Sequence, residues 1–227
     1  MAQRLQGRTA LVTGSTSNIG RAIAVALAGE GAHVVVSGRD DVRGAAVVDQ
    51  IRRAGGRADF ARADLDGSAA ASRALASKAA ELLGGRVDVL VNNAGIYPPS
   101  IIPTTDEETF DRVYGVNVKA PFFLVQALVP SMIDSGGGVV INLGSWIARL
   151  GVRVNAISPG VIVSPDWATA TDHPGEVMMN GTPAGRSGHP DAIAAAAVYL
   201  ASDDAAFVHG TVLDVDGGRT GVAVVAV

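Results

Sequence analysis

The chain contains no cysteine, which excludes disulfides and thiolate metal sites outright and is compatible with a reducing compartment. Charge is sparse. Only 18% of residues are Asp, Glu, Lys or Arg against 48% apolar, a balance that excludes a disordered chain and fits one that packs a core. There is no basic run, and a net charge of −4 with a pI near 5.5 argues against nucleic acid as a partner. No apolar run stands out as membrane-spanning, so no membrane partner is expected. Residues Met1–Arg8 are polar and run straight into the first predicted strand, leaving no room for a signal peptide; the expected location is cytoplasmic. Nothing in the sequence suggests a metal site.

What is present is a regular alternation of short valine-rich runs with longer alanine- and leucine-rich stretches. The pattern predicts strands at Thr9–Thr13, His33–Ser37, Ala58–Arg62, Val87–Asn92, Val139–Leu143, Arg153–Ile157 and Thr211–Val215. Helices are predicted at Ile19–Glu30, Asp41–Ala54, Ser68–Leu83, Asp106–Asp134 and Pro190–Ser202. The strands are apolar almost throughout, as in a parallel sheet covered on both faces. The expected fold is an open, doubly wound parallel α/β sheet of the Rossmann type, a single domain over residues 1–227. Thr105 with Glu108 reads as a capping box for the long central helix.

The alternation breaks once. Only the segment from Gly144 to Val152 separates the predicted fifth and sixth strands. A parallel crossover with its helix needs at least about 10–12 residues and usually far more.

The first strand runs into Thr13-Gly-Ser-Thr-Ser-Asn-Ile-Gly20, a glycine-bounded loop opening a helix, where backbone N–H groups and the positive helix end suit a pyrophosphate. Asn92-Asn-Ala-Gly95 follows at a strand end, then Asn117 in a helix, Ser145 at the next strand end, Pro159-Gly160, and Asp214-Val-Asp-Gly-Gly218. In this order and spacing the set resembles the short-chain dehydrogenase/reductase family of nicotinamide-dependent oxidoreductases, over essentially the whole chain.

The resemblance implies a site residue by residue. Gly14, Thr16, Asn18, Ile19 and Gly20 would cradle the cofactor phosphates, with Asn18 standing where the family usually has a middle glycine. At the end of the second strand Gly38 stands at the family's acidic position and Arg39 follows. A guanidinium there clasps a 2′-phosphate, which favours NADP(H) over NAD(H), although Asp40 is a rival partner for Arg39. Asp64 and Leu65 would meet the adenine; Asn93, Ala94 and Gly95 would line the ribose. Pro159, Gly160, Ile162 and Ser164 would meet the nicotinamide carboxamide.

For catalysis the resemblance assigns Ser145 to the reacting oxygen and Asn117 to a proton relay. It also implies a tyrosine where Ser158 stands and a lysine one helical turn on, where Ile162 stands. The chain holds only Tyr97, Tyr114 and Tyr199, with Lys78 and Lys119, and none gives the Tyr-x-x-x-Lys pattern. Tyr114 and Lys119 are expected on different sides of the central helix, and Tyr199 is expected to pack. The missing pair and the missing crossover fall in one segment. On the order of 30 residues are therefore expected to be absent between Leu150 and Gly151. The implied partner is a small ketone or secondary alcohol, partly apolar from Trp167, Met178 and Met179. The apolar stretches Thr211–Val215 and Gly221–Val227 point to a homo-oligomer, a tetramer or dimer. A dinucleotide-binding protein without turnover is the alternative if the deletion is genuine.

Overall fold

The computed structural model describes residues 3–96, 105–141, 152–163 and 182–220. Seven parallel strands form one sheet: β1 (Thr9–Val12), β2 (His33–Gly38), β3 (Arg57–Arg62), β4 (Val89–Val91), β5 (Gly138–Ile141), β6 (Val152–Pro159) and β7 (Val212–Val215). Their spatial order is β3-β2-β1-β4-β5-β6-β7. The helices are α1 (Asn18–Gly29), α2 (Asp41–Arg53), α3 (Ala69–Leu82), α4 (Glu107–Tyr114), α5 (Ala120–Asp134) and α6 (Pro190–Ala201). A π-helical segment, Gly115–Lys119, joins α4 to α5.

Alternate residues of each strand enter opposite layers, because successive side chains point to opposite faces. Val12, Val34, Val36 and Val91 pack in one core with Ile23 and Leu27 of α1 and with Ile193 and Leu200 of α6. Leu11, Val35, Leu90, Val140 and Val154 pack in the other with Leu75 of α3 and with Leu124, Leu128 and Met132 of α5. The strand order reverses between β1 and β4. In open α/β sheets this is where a crevice forms at the carboxyl ends.

Three expectations need correction. The predicted central helix is not one α-helix: Ala120 N–H bonds to the Gly115 carbonyl, an i→i−5 step. Pro121 explains the break in pattern, since it has no N–H to continue the α-helical ladder. The cap of α4 is Asp106, whose carboxylate accepts from Thr109 N–H at 2.8 Å, one residue later than the Thr105–Glu108 box. Tyr199 is half-exposed rather than packed. The helical span Glu107–Asp134 is also long and apolar enough by length and composition to cross a membrane. Here its apolar character belongs to a core helix, with Leu124, Leu128 and Met132 buried against the sheet layer.

β5 and β6 pair directly, Gly138 beside Val152 and Ile141 beside Asn155. Residues 142–151 are all that connects them. That connection and residues 97–104, 164–181 and 221–227 lie outside the described residues, and with them Tyr97, Ser145, Ser164, Trp167, Met178 and Met179.

Candidate nucleotide and active site

At the carboxyl end of β1 the chain leaves the sheet and turns into α1. Gly14 has φ +61°, and a Cβ there would lie 2.8 Å from the Ala94 Cα. At Gly20, in the first turn of α1, a Cβ would lie 2.4 Å from both the Gly14 carbonyl oxygen and the Asn93 side-chain nitrogen. Both positions demand glycine because backbone approaches backbone. Asn18 has φ +45°, the one non-glycine residue with positive φ among the described residues, and asparagine visits that region more readily than most. Ser17 caps α1 in extended conformation but its side chain makes no capping hydrogen bond, and no acidic residue occupies the first turn. The opening N–H groups of α1 are thus left for another acceptor, with the helix dipole favouring an anion.

Hydroxyls and one amide hold the loop in place. Thr13 Oγ1 donates to the Val91 carbonyl at 3.2 Å and accepts from the N–H groups of Asn93 and Ala94 at 3.0 and 2.9 Å. Asn93 Nδ2 donates to the carbonyls of Thr13 and Gly14 at 3.0 and 3.1 Å. Ser15, fully buried, donates to the Val12 carbonyl at 2.6 Å and accepts from Ser37 N–H at 2.9 Å. The ends of β1, β2 and β4 are laced together around a cleft of about 580 Å³.

That cleft gathers Gly14, Thr16, Asn18, Ile19, Gly20, Arg39, Asp64, Leu65, Asn93, Ala94 and Gly95. A Cβ at Gly38 would lie 2.6 Å from the Thr16 methyl, so an acidic side chain at this strand end would have to displace Thr16. Asp40 is not the partner of Arg39. It caps α2, accepting from Arg43 N–H at 3.0 Å and Arg43 Nε at 2.7 Å, and these bonds hold its carboxyl below the usual range. Arg39 lies 3.9 Å from Asp64 instead, both side chains largely exposed. Asp66, also on the rim, is held low by hydrogen bonds from the Ser68 hydroxyl and N–H.

Asn117 sits in the π-helical segment, a distortion that often marks functional positions. Its Oδ1 accepts from Ile96 N–H at 2.9 Å and its Nδ2 donates to the Ile96 carbonyl at 3.0 Å, tying the helix to the loop after β4. A second depression, about 400 Å³, lies at the carboxyl ends of β6 and β7 and holds Gly160 and Ile162. Gly160 and Ile162 line this depression and not the first cleft, and Pro159, at the end of β6, lines neither. Ile162 bridges to Gly188, where a Cβ would meet its Cδ1 at 2.6 Å. Sequence reasoning missed the bracing roles of Thr13 and Ser15, and Arg112 and Val116 on the cleft wall. The spacing offered a signal for the last two, which stand five residues and one residue before Asn117. Asn92 is a further surprise: both side-chain amide atoms are buried and unpartnered among the described residues.

The profile of the short chain dehydrogenase family matches residues 8–151, and that of an enoyl-(acyl carrier protein) reductase family matches residues 142–220. An uncharacterized oxidoreductase of Thermotoga maritima is 34% identical over 252 positions, covering 96% of this chain and 99% of the relative. Those aligned positions outnumber the 227 residues here, so the relative carries residues with no counterpart in this chain. A 7α-hydroxysteroid dehydrogenase complexed with NADH and 7-oxo glycochenodeoxycholic acid superposes with a TM-score of 0.85 at 34% identity, covering 96% of each chain. A gluconate 5-dehydrogenase from Burkholderia cenocepacia, in complex with NADP and tartrate, superposes with a TM-score of 0.85 at 31% identity, covering 98% of each chain. With its parallel sheet, its glycine-bounded loop at the switch point and these matches along its length, the chain belongs to the short-chain dehydrogenase/reductase family.

Proposed function

We propose that this chain is an oxidoreductase that interconverts a ketone and a secondary alcohol with a nicotinamide dinucleotide, NADP(H) in preference to NAD(H). The observation that carries this reading is the cleft at the switch point. Its glycine cradle would be filled by any Cβ, and its helix opens without a side-chain cap. The α1 N–H groups and Gly14, Thr16, Asn18, Ile19 and Gly20 would hold the pyrophosphate. Asn93, Ala94 and Gly95 would line the ribose, and Asp64 and Leu65 would flank the adenine. Arg39, with no acid at Gly38, would take the 2′-phosphate. Pro159, Gly160, Ile162 and Ser164 are assigned to the carboxamide.

When bound, the dinucleotide supplies or accepts the hydride. The chain's own residues manage the proton. Negative charge develops on the ketone oxygen as it is reduced, and Ser145 is assigned to hydrogen-bond that oxygen. Asn117 is assigned to the relay. Both its amide atoms are engaged at Ile96, so its backbone carbonyl is the group to consider. Pro121, four residues on, has no N–H to offer that carbonyl.

The acid that delivers the proton is not in this sequence, nor is a lysine to lower its pKa. We place both in a segment on the order of 30 residues belonging between Leu150 and Gly151, a full helical crossover. Two observations support this: relatives align over more positions than the chain has, and only residues 142–151 join β5 to its parallel neighbour β6. An intact mass of the natural protein about 3 kDa above 23.0 kDa, with NADPH fluorescence lost on mixing with a ketone panel, is the expected outcome. A mass of 23.0 kDa with NADPH bound but not consumed would instead establish the second reading, a dinucleotide-binding protein without turnover. That reading is favoured by one observation, the absence of Tyr-x-x-x-Lys.

A cytoplasmic homo-oligomer, dimer or tetramer, completes the proposal. It is supported by Phe207, fully exposed, and by the exposed Val212 of β7. Sedimentation equilibrium gives the copy number, and a monomer would refute this part.

A further inference from the structure

Thr16, in the loop after β1, and Gly38, the last residue of β2, meet on the wall of the nucleotide cleft. A Cβ at Gly38 would lie 2.6 Å from Thr16 Cγ2, 3.0 Å from Thr16 Oγ1 and 3.4 Å from Thr16 Cβ. The first is far inside the best separation of two carbons, about 3.5–4.0 Å. Among the described residues these are the three heavy atoms nearest that point, and all belong to one side chain. Gly38 lies in a strand and outside the left-handed region, so the backbone does not ask for glycine there. Thr16 does.

Rotating Thr16 does not open the space. Its two γ atoms fill two of the three staggered positions on Cβ, and both face Gly38. Either other rotamer moves one of them away and leaves a γ atom at 2.6 or 3.0 Å. The backbones cannot part either. Ser15 N–H donates to the Ser37 carbonyl at 2.9 Å, and Ser37 N–H donates to Ser15 Oγ at 2.9 Å, with both residues buried. On the other side the Gly38 carbonyl accepts from Ala63 N–H at 3.0 Å, which pins this strand end to β3.

An acidic side chain at the end of the second strand is the group that takes the ribose hydroxyls of NAD and repels a 2′-phosphate. Resting on the reading of this cleft as a dinucleotide site, we propose that Thr16 is a specificity-determining residue. Its γ atoms fill the volume that an acid at position 38 would need. The preference for a 2′-phosphate is therefore set by Thr16 and Gly38 as an interlocked pair, and not by Arg39 alone.

The test has two arms. Without ligand, denaturant unfolding compares Gly38→Ala in the wild-type protein and in Thr16→Ala, which keeps only the Cβ at 3.4 Å, an ordinary contact. Gly38→Ala is expected to lower the midpoint in the first background and to leave it unchanged or raise it in the second. In the other arm, fluorescence titration with NADH and NADPH compares Gly38→Asp with the double variant Thr16→Ala/Gly38→Asp. Gly38→Asp alone is expected to bind both weakly. The double variant is expected to bind NADH roughly tenfold tighter than Gly38→Asp does, and to prefer it to NADPH. Folding of the double variant where Gly38→Asp alone fails would support the pair equally, and if neither folds the alanine comparison decides. An equal cost of Gly38→Ala in both backgrounds, or NADH bound as tightly by Gly38→Asp as by the double variant, would overturn the proposal. A wild-type protein that binds neither dinucleotide would instead overturn the reading of the cleft.

Discussion

At Gly20 the two nearest contacts of an added Cβ would be the Gly14 carbonyl oxygen and the Asn93 amide, and the first of these is backbone that cannot swing aside. Gly20→Ala therefore has to push the loop away from β4, disturbing the Asn93 bonds to Thr13 and Gly14. A loss of about 1–3 kcal/mol in stability is expected, the range for overpacking a close contact. Denaturant unfolding measures it, and an unchanged midpoint would show that the contact relaxes. Part of this requirement is local and so legible in sequence: Gly20 meets the Gly14 carbonyl six residues back, and the positive φ of Gly14 and Asn18 belongs to the turn itself, whereas the approach of Asn93 and Ala94 is not local. Thr13 and Ser15 were not legible as braces. Their partners sit 80 and 22 residues away and are known only once β4 and β2 lie beside β1. The same holds for Arg39, whose neighbour proved to be Asp64 from the third strand's end and not the adjacent Asp40.

Among the elements, α5 most clearly depends on packing rather than on propensity. It contains Pro130 within its span and Pro121 in its first turn, yet it holds because Leu124, Leu128 and Met132 are buried in the core layer they share with α3. Leu124 is fully buried, so Leu124→Ala should cost about 2–5 kcal/mol, read from denaturant unfolding. A cost under about 1 kcal/mol would mean the helix is not docked as described. Element positions were well marked in the sequence, because buried parallel strands and helices differ in run length and composition. The π-helical step in the central helix was not, since one shifted hydrogen bond hardly alters a hydrophobic pattern. Its trace was Pro121, whose missing N–H could have been set against the carbonyls before it. The step also means that straight-helix spacing does not describe the separation of Tyr114, just before it, from Lys119, its last residue.

For the molecule as a whole, the helix caps couple stability to acid. Asp40 and Asp106 each accept a backbone N–H at the start of a helix, and Glu30 accepts from Arg4; all three carboxyls are held below their ordinary values. A depressed carboxyl contributes stability above its unfolded pKa and loses it as pH falls through its folded one. Tm should thus fall most steeply below about pH 4, and Asp106→Asn, which keeps a capping oxygen without the charge, should flatten that fall. An unaltered acid limb in the variant would show that the Asp106 charge carries no stability. At this scale the doubly wound parallel sheet was implied by strand–helix alternation, while the strand order, and with it the switch point between β1 and β4, came only with the structure. The carboxamide end was assigned from the resemblance alone, and the structure sets Gly160 and Ile162 in a separate depression. The central claim is that the cleft between β1 and β4 binds a nicotinamide dinucleotide and reads its 2′-phosphate through Arg39. Fluorescence titration of the wild-type protein and Arg39→Ala with NADPH and NADH tests it most directly. Saturable binding of both by the wild type is expected, NADPH the tighter, with that advantage lost in Arg39→Ala as its NADPH Kd rises roughly tenfold or more. Failure of the wild-type protein to bind either dinucleotide would contradict the account, and equal weakening of both by Arg39→Ala would remove the 2′-phosphate from it.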